Sequence, residues 1–237
     1  MSNRIIVSCC YSESSGERKA YYAGFADRLA ESVAKFGGGV PLHIWRESWP
    51  PGSPAHNDHH YAFKWFAVND AVQKGHRYVM WLDAGSCAVA PMEPLWQAIE
   101  RDGYAMLRGA DNLSDWIGDH ALRHFDVSRE RARALKLMGG CLIGLDMQHP
   151  TARRFFDWWG ELAKTTRLFQ CSITTQARVD GILRSVQSTD SGGQNIISTD
   201  PTVKGHRSDE ACFSLMMDKL GMDGMSLTDW RKVMVTY

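Results

Sequence analysis

The sequence predicts an α/β protein with a mostly parallel central sheet flanked by helices, and three observations carry that expectation. The chain opens on a strand, an amphipathic helix and a second strand. A dry run, Tyr78 to Leu82 (YVMWL), has so little polar surface that it fits a central strand buried on both faces. Further helical patterns then alternate with short apolar runs. A length of 237 residues suits one large domain spanning residues 1–237.

Taken in order, Ile5 to Cys10 (IIVSCC) is the first strand, and Ser12 to Gly16 a polar loop. Glu17 to Phe36 is a helix whose Phe25, Leu29, Val33 and Phe36 recur at helical spacing and face a sheet. Three glycines, 37 to 39, end it, and Val40 to Trp45 is the second strand. Ser48 to His60 is a long loop with three prolines and three of the nine histidines. Tyr61 to Lys74 is a helix, closed by Gly75 before the dry strand. Pro91 opens a short helix to about Arg101, and Tyr104 to Leu107 is a short strand. Asn112 to Arg133 is polar and predicts short helices. Met138 to Leu145 is a strand opened by a glycine pair, and Pro150 to Lys164 a helix with core aromatics. Gln187 to Lys204, rich in Ser, Thr, Asp and Gly, predicts a mobile loop. Ser208 to Leu220 is the final amphipathic helix.

The composition, 44% hydrophobic and 23% charged, is that of a soluble globular protein. Lys plus Arg equals Asp plus Glu at 27 each, which removes any general pull toward nucleic acid or an anionic membrane. The six cysteines form no CxxC pair, which argues against a thiolate zinc site, and Cys9 and Cys10 point to opposite faces of one strand. Reduced thiols in a cytoplasmic protein are the simplest expectation. The N-terminus reads as a strand and not as a signal peptide, and no run of about 18 apolar residues predicts a membrane span. GxGxxG and GxxxxGK[ST] are both missing, which weighs against dinucleotide and P-loop sites.

The most informative residue is Asp83, which ends the dry strand and is followed by Ala-Gly-Ser. Ligands of open α/β sheets bind beyond the carboxyl ends of the strands, where an acid can hold a metal, a sugar hydroxyl or a phosphate-bound cation. Gly85, having no Cβ, permits close approach of a ligand there, next to Ser86.

The order of these pieces resembles the nucleotide-sugar glycosyltransferases of the GT-A fold, which are Rossmann-type single domains. The matching stretches are the opening strand–helix–strand, YAFKWFAVNDAV (61–72) with its lysine ahead of the key strand, YVMWLDAGS (78–86) followed by Pro91 and Leu95, GGCLIGLD (139–146), and GHRSDEACFSLMMDKLG (205–221). Where that family carries Asp-x-Asp, this chain reads Asp83-Ala84-Gly85. The resemblance implies a nucleotide-binding half over 1–110 and a sugar and acceptor half over 111–237. It implies transfer from a nucleoside diphosphate sugar, a UDP-sugar foremost, to an acceptor hydroxyl. The acceptor class stays open among glycan, lipid-linked sugar, protein and modified nucleic-acid base. A divalent Mn or Mg ion on Asp83, with His206 as a second candidate ligand, competes with a metal-independent design.

Such chemistry must stabilise negative charge on the leaving diphosphate. The cationic candidates are Lys64, Lys204, His206 and Arg207, the last three beside the predicted loop and able to close with it over the donor. Lys64 reads equally as a solvated helix lysine. Asp209 and Glu210 are either ordinary helix caps or catalytic acids, one binding the sugar or serving as general base; a base implies inversion, its absence retention. Asp111 is a candidate for sugar hydroxyls, and Gly139 and Gly140 for close backbone approach to donor or acceptor. His59 and His60 are acceptor-binding candidates. Two rival readings remain: a catalytically inactive nucleotide- or sugar-binding protein, and a metal-dependent hydrolase using His56 to His60, against which stands the lack of an HExxH helix.

Overall fold

The computed structural model describes residues 3–11, 17–188 and 194–236. In chain order the elements are β1 (Arg4–Cys9), α1 (Glu17–Phe36), β2 (Leu42–Trp45), α2 (Ala62–Gln73), β3 (Tyr78–Leu82), β4 (Ser86–Ala88), α3 (Glu93–Asp102) and β5 (Tyr104–Asn112). A 3-10 turn (Leu113–Trp116) leads to α4 (Asp119–Phe125), α5 (Arg129–Arg133), β6 (Lys136–Asp146) and α6 (Pro150–Thr165). Then come β7 (Ser172–Ile173), β8 (Thr175–Val179), β9 (Ile182–Ser188), β10 (Gln194–Ser198), β11 (Gly205–His206), α7 (Ser208–Leu220), β12 (Met225–Ser226), α8 (Leu227–Val233) and β13 (Met234–Thr236).

Six strands form the central sheet in the order β12-β5-β6-β3-β1-β2. The β1–β2, β1–β3 and β12–β5 pairs are parallel, and only β6 runs against its neighbours β3 and β5. Alternation along the strands divides the core in two. Val79 and Trp81 of β3 join Val7, Trp65 and Val68 on one face, with α2, α6 and α7. Met80 and Leu82 join Ile6, Leu29, Val33 and Trp96 on the other, with α1, α3 and α8. β3 is therefore dry on both faces, as its composition predicts.

The connection from β1 to β2 packs α1 on one face, and that from β2 to β3 packs α2 on the opposite face. Strand order thus reverses between β1 and β3, and the crevice at such a switch point opens at the strands' carboxyl ends. Asp83 stands at that edge.

Several expectations are corrected. The strand from Tyr104 runs on to Asn112, and the glycine pair lies inside β6 instead of opening it. Asn112 to Arg133 does hold short helices. The loop expected over Gln187 to Lys204 is replaced, among the described residues, by the end of β9 and by β10, which with β8 form a three-stranded antiparallel sheet. Residues 189–193 and the polar loop at 12–16 lie outside the described residues. Asp180 and Gly181 sit between paired Val179 and Ile182 with φ of 50° and 78°, the signature of a two-residue hairpin turn. α7 is not the last helix, because α8 follows.

A polar latch ties this small sheet to the body. Arg129 pairs with Asp119 and donates to Ser198 Oγ (3.0 Å) and to the carbonyls of Ser114 (3.0 Å) and Ile117 (2.9 Å). Asp119 also accepts from Ser198 Oγ (2.7 Å), the Thr199 N–H (2.7 Å) and Thr199 Oγ1 (3.0 Å).

Candidate active site

Asp83 is fixed from two sides. Its N–H donates to the Cys141 carbonyl at 3.1 Å, and its carbonyl accepts from the Ser86 N–H at 2.9 Å, closing the turn that contains Gly85. Trp81, two residues back and so on the same side of the strand, donates its indole N–H to Asp83 Oδ1 at 2.8 Å.

The same Oδ1 lies 3.1 Å from Lys64 Nζ. Lys64 is not a solvated helix lysine: it sits in the first turn of α2 and is 3% exposed. Its ammonium also meets Asp209 Oδ2 at 2.9 Å and donates to the Gly140 carbonyl at 3.0 Å. Three acceptors around an ammonium use all its donors. Burial opposes the charge, but Asp209 and Asp83 outweigh it and raise the Lys64 pKa, so the side chain stays protonated.

Asp209 and Glu210 occupy the first turn of α7, where acidic groups suit the helix dipole. Asp209 is 2% exposed, and its Oδ2 accepts no aligned hydrogen bond beyond the contact with Lys64. Glu210 Oε1 accepts from the Gly140 N–H at 3.2 Å, and its Oε2 lies 3.1 Å from Arg207 Nε. Burial raises the pKa of both acids; Lys64 counters it at Asp209, while neighbouring Asp209 adds to it at Glu210.

Gly140 makes this arrangement feasible. One peptide segment offers its C=O to the lysine and its N–H to the glutamate. A Cβ at residue 140 would fall 2.8 Å from Asp209 Oδ2 and 2.9 Å from Lys64 Nζ. The expectation that Gly140 clears space for a ligand is corrected: the Lys64–Asp209 pair takes that space. Gly139 faces the Leu107 side chain and is likewise no ligand approach.

Left-handed backbone flanks the centre. Tyr61, directly before α2, has φ 57°, and Ser208, directly before Asp209, has φ 44°. They are two of the four non-glycine residues with positive φ among the described residues, and strain of this kind gathers at sites that need fixed geometry.

Around the centre the candidates divide. Arg207, with 44% of its side chain exposed, stacks over Trp116 at 5.3 Å and lies 3.7 Å from Asp111 at the end of β5. Lys204 is exposed and pairs with Asp115 at 2.9 Å, over the same indole at 5.9 Å. Ser86 is buried, and its hydroxyl has no hydrogen-bond partner among the described residues. His206 is removed from the donor and metal candidates. It is fully buried in β11, donates from Nε2 to the Leu168 carbonyl (2.6 Å) and accepts at Nδ1 from the Gly118 N–H (3.3 Å). Burial, with His120 beside it, lowers its pKa to about 4, so it is a neutral structural histidine.

His59 and His60 belong to an aromatic cluster next to the centre. His60 Nδ1 accepts from the Cys171 N–H at 3.1 Å, and His56 Nδ1 from the Tyr61 N–H at 3.3 Å. The His56 and His60 rings stack within 11° at 4.9 Å. With Nδ1 accepting, each neutral ring carries its proton on Nε2 and so offers no lone pair there for a metal. Burial lowers the pKa of both His59 and His60. Among the described residues no group of three or more His, Cys, Asp or Glu side chains is arranged to hold a metal ion.

Sequence reasoning missed Trp81, Trp116 and the burial of Lys64. The i, i+2 spacing of Trp81 and Asp83 was a signal available for the first.

Fold and site together define an α/β protein with a charged centre at the switch point of an open sheet. Among solved structures, the chain is similar to mouse xyloside xylosyltransferase 1 (12% identity, 97% of this chain and 89% of that chain, TM-score 0.44). It is also similar to a glycosyltransferase involved in glycosylation of the major capsid of PBCV-1 (13%, 68% and 67%, 0.40) and to the galactosyltransferase LgtC (11%, 68% and 65%, 0.36). No protein-family model matches the chain, and no curated protein matches it in sequence. Likenesses this distant leave the chemistry to the side chains.

Proposed function

We propose that the protein is a glycosyltransferase that moves a sugar from a nucleoside diphosphate sugar, a UDP-sugar foremost, to an acceptor hydroxyl. The observation that carries this reading is the buried Lys64, which holds Asp83 and Asp209 at the carboxyl edge of the sheet. Exposure then divides the labour. Lys64 and Asp209, at 4% and 3% side-chain exposure, are positioning residues; Asp83, Glu210 and Arg207, at 37%, 24% and 44%, can touch a ligand.

In the proposed step Glu210 takes the proton of the acceptor hydroxyl. The acceptor oxygen bonds to the anomeric carbon, and the bond from that carbon to the diphosphate oxygen breaks. Its electron pair leaves with the diphosphate, beside Arg207 and Lys204. A single displacement of this kind inverts the anomeric centre. Asp83 Oδ2 has no hydrogen-bond partner among the described residues and fits as the one protein ligand of a Mg or Mn ion otherwise held by phosphate and water oxygens. Such an ion would supply Lewis-acid neutralisation of the diphosphate. The acceptor class remains a glycan, a lipid-linked sugar, a protein or a modified base. Among the described residues no helix is long and apolar enough to cross a membrane.

The test is release of nucleoside diphosphate from a panel of nucleotide sugars, with and without Mn. Turnover that collapses in Asp83→Asn supports the reading. Thermal stabilisation by UDP without any release identifies a binding protein instead.

A further inference from the structure

The Arg207–Glu210 pair sits awkwardly for the role just given to Glu210. With Oε2 3.1 Å from a guanidinium and Oε1 accepting a backbone N–H, both carboxylate oxygens are already occupied where the acceptor hydroxyl must approach. Arg207 is not locked in that position. Among the described residues its only other acidic contact is the longer 3.7 Å approach to exposed Asp111, and its guanidinium lies over the flat face of Trp116. A planar cation on a ring can pivot and keep the stacking contact. The Asp83 backbone N–H donates to the Cys141 carbonyl and the Glu210 carboxylate accepts from the Gly140 N–H, so both residues are tied to adjacent residues of β6.

We propose that Arg207 is a donor-triggered latch on the general base: without donor it pairs with Glu210, and a bound diphosphate draws it away and frees Glu210 to accept the acceptor's proton. This inference rests on the transferase reading above. A diphosphate offers the fork more charge and more oxygens than one carboxylate does. The latch keeps the base idle until a leaving group is in place, which guards against wasteful hydrolysis of the donor.

The surroundings of Glu210 fit such a change. The charged and titratable groups facing it are Asp209 and Arg207 at the start of α7, Lys64 from α2 and Cys141 from β6. Burial and Asp209 already hold the Glu210 carboxyl above the usual carboxylate range, and Arg207 is first among the groups that pull it down. Removal of Arg207 raises it further, so diphosphate binding is coupled to proton uptake.

The experiment is calorimetric titration of pyrophosphate, and separately of UDP, into the full chain near pH 6 in two buffers of different ionisation enthalpy. The variants are Arg207→Gln, Arg207→Lys and Glu210→Gln; both residues are partly exposed, and a thermal melt checks each fold. The wild type takes up a measurable fraction of a proton more than Glu210→Gln does, a difference in which the ligand's own protonation change near pH 6 cancels. Arg207→Gln binds pyrophosphate about tenfold or more weakly and loses that excess uptake, since its Glu210 is already released. Arg207→Lys keeps part of both effects. Uptake equal in wild type and Glu210→Gln, or unchanged pyrophosphate affinity in Arg207→Gln, overturns the latch. If the uptake pattern holds but no nucleotide sugar is turned over, the transferase reading fails and the Arg207–Glu210 exchange stands.

Discussion

Two basic–acidic clusters in this molecule look alike in a contact map and behave as opposites. In the latch beneath the small sheet, both oxygens of Asp119 are filled by Arg129, Ser198 and Thr199. Burial alone would raise the Asp119 pKa, but those bonds outweigh it and hold it below the usual carboxylate range. At the strand edge, Lys64 is saturated while the acids around it are not. Among the described residues Asp209 Oδ2 meets only Lys64, Asp83 Oδ2 has no hydrogen bond, and burial keeps Asp209 and Glu210 above the usual range. A structural cluster satisfies its charges. A cluster built for a ligand leaves some acceptors waiting and fixes the rest.

The contrast breaks most readily at Lys64. Lys64→Met strands a buried Asp209 carboxylate, and urea titration is expected to show a loss of about 3–5 kcal/mol together with loss of turnover. An unchanged unfolding midpoint would remove the lysine from its central place. Asp83→Asn is expected to lower turnover by about 10²–10³-fold with little change in melting temperature, because the residue is partly exposed and its backbone bonds remain. Gly140→Ala presses a methyl into the ion pair and should cost about 1–3 kcal/mol, measured by thermal melting, with a clear fall in kcat. Asp119→Ala should cost a comparable 1–3 kcal/mol, roughly the penalty for a part-buried charge-assisted cluster, yet leave kcat where it was. A fall in kcat there would merge the two clusters into one.

The smallest effect is in the pH dependence of stability, and the two clusters carry opposite signs. Asp119, with its lowered pKa, contributes stability above the usual Asp pKa and loses it as pH falls through the folded value. Asp209 and Glu210, with raised pKa values, contribute stability at acid pH that is lost as pH rises through their folded values. Acid titrations of Asp119→Asn and Glu210→Gln against the wild type should therefore diverge in opposite directions.

Much of this was legible in the chain. YVMWL has no wet face, so β3 and the position of Asp83 at its end follow from composition alone. The helices at Glu17–Phe36 and Ser208–Leu220 match their periodicity residue for residue. What escaped was pairing across distance. A lysine in an aromatic-rich helix looks solvated until its three partners arrive from residues 83, 140 and 209. His206 looked like a ligand because nothing local reveals that Leu168 and Gly118 claim both nitrogens. β10 hid behind the Ser-, Thr-, Asp- and Gly-rich composition of Gln187 to Lys204 that reads as loop, and β8 and most of β9 lie ahead of it in a stretch given no element from sequence. Asp-Gly between Val179 and Ile182 was the hairpin signal inside it.

The reversal of β6 has a consequence for how such a protein can change. Had every strand run the same way, residues 139 to 141 would lie where a strand gives out into a loop, and their backbone could drift. β6 instead enters the sheet at this edge, pairing with β5 at Met138 and Gly139, shifting register between Gly139 and Ile143, and meeting β3 as well only from Leu142 on. The floor of the crevice is thus held at that irregularity by the bonds of Gly140 and Cys141 to Lys64, Glu210 and Asp83, and new specificities fall to the helix starts and loops around its rim.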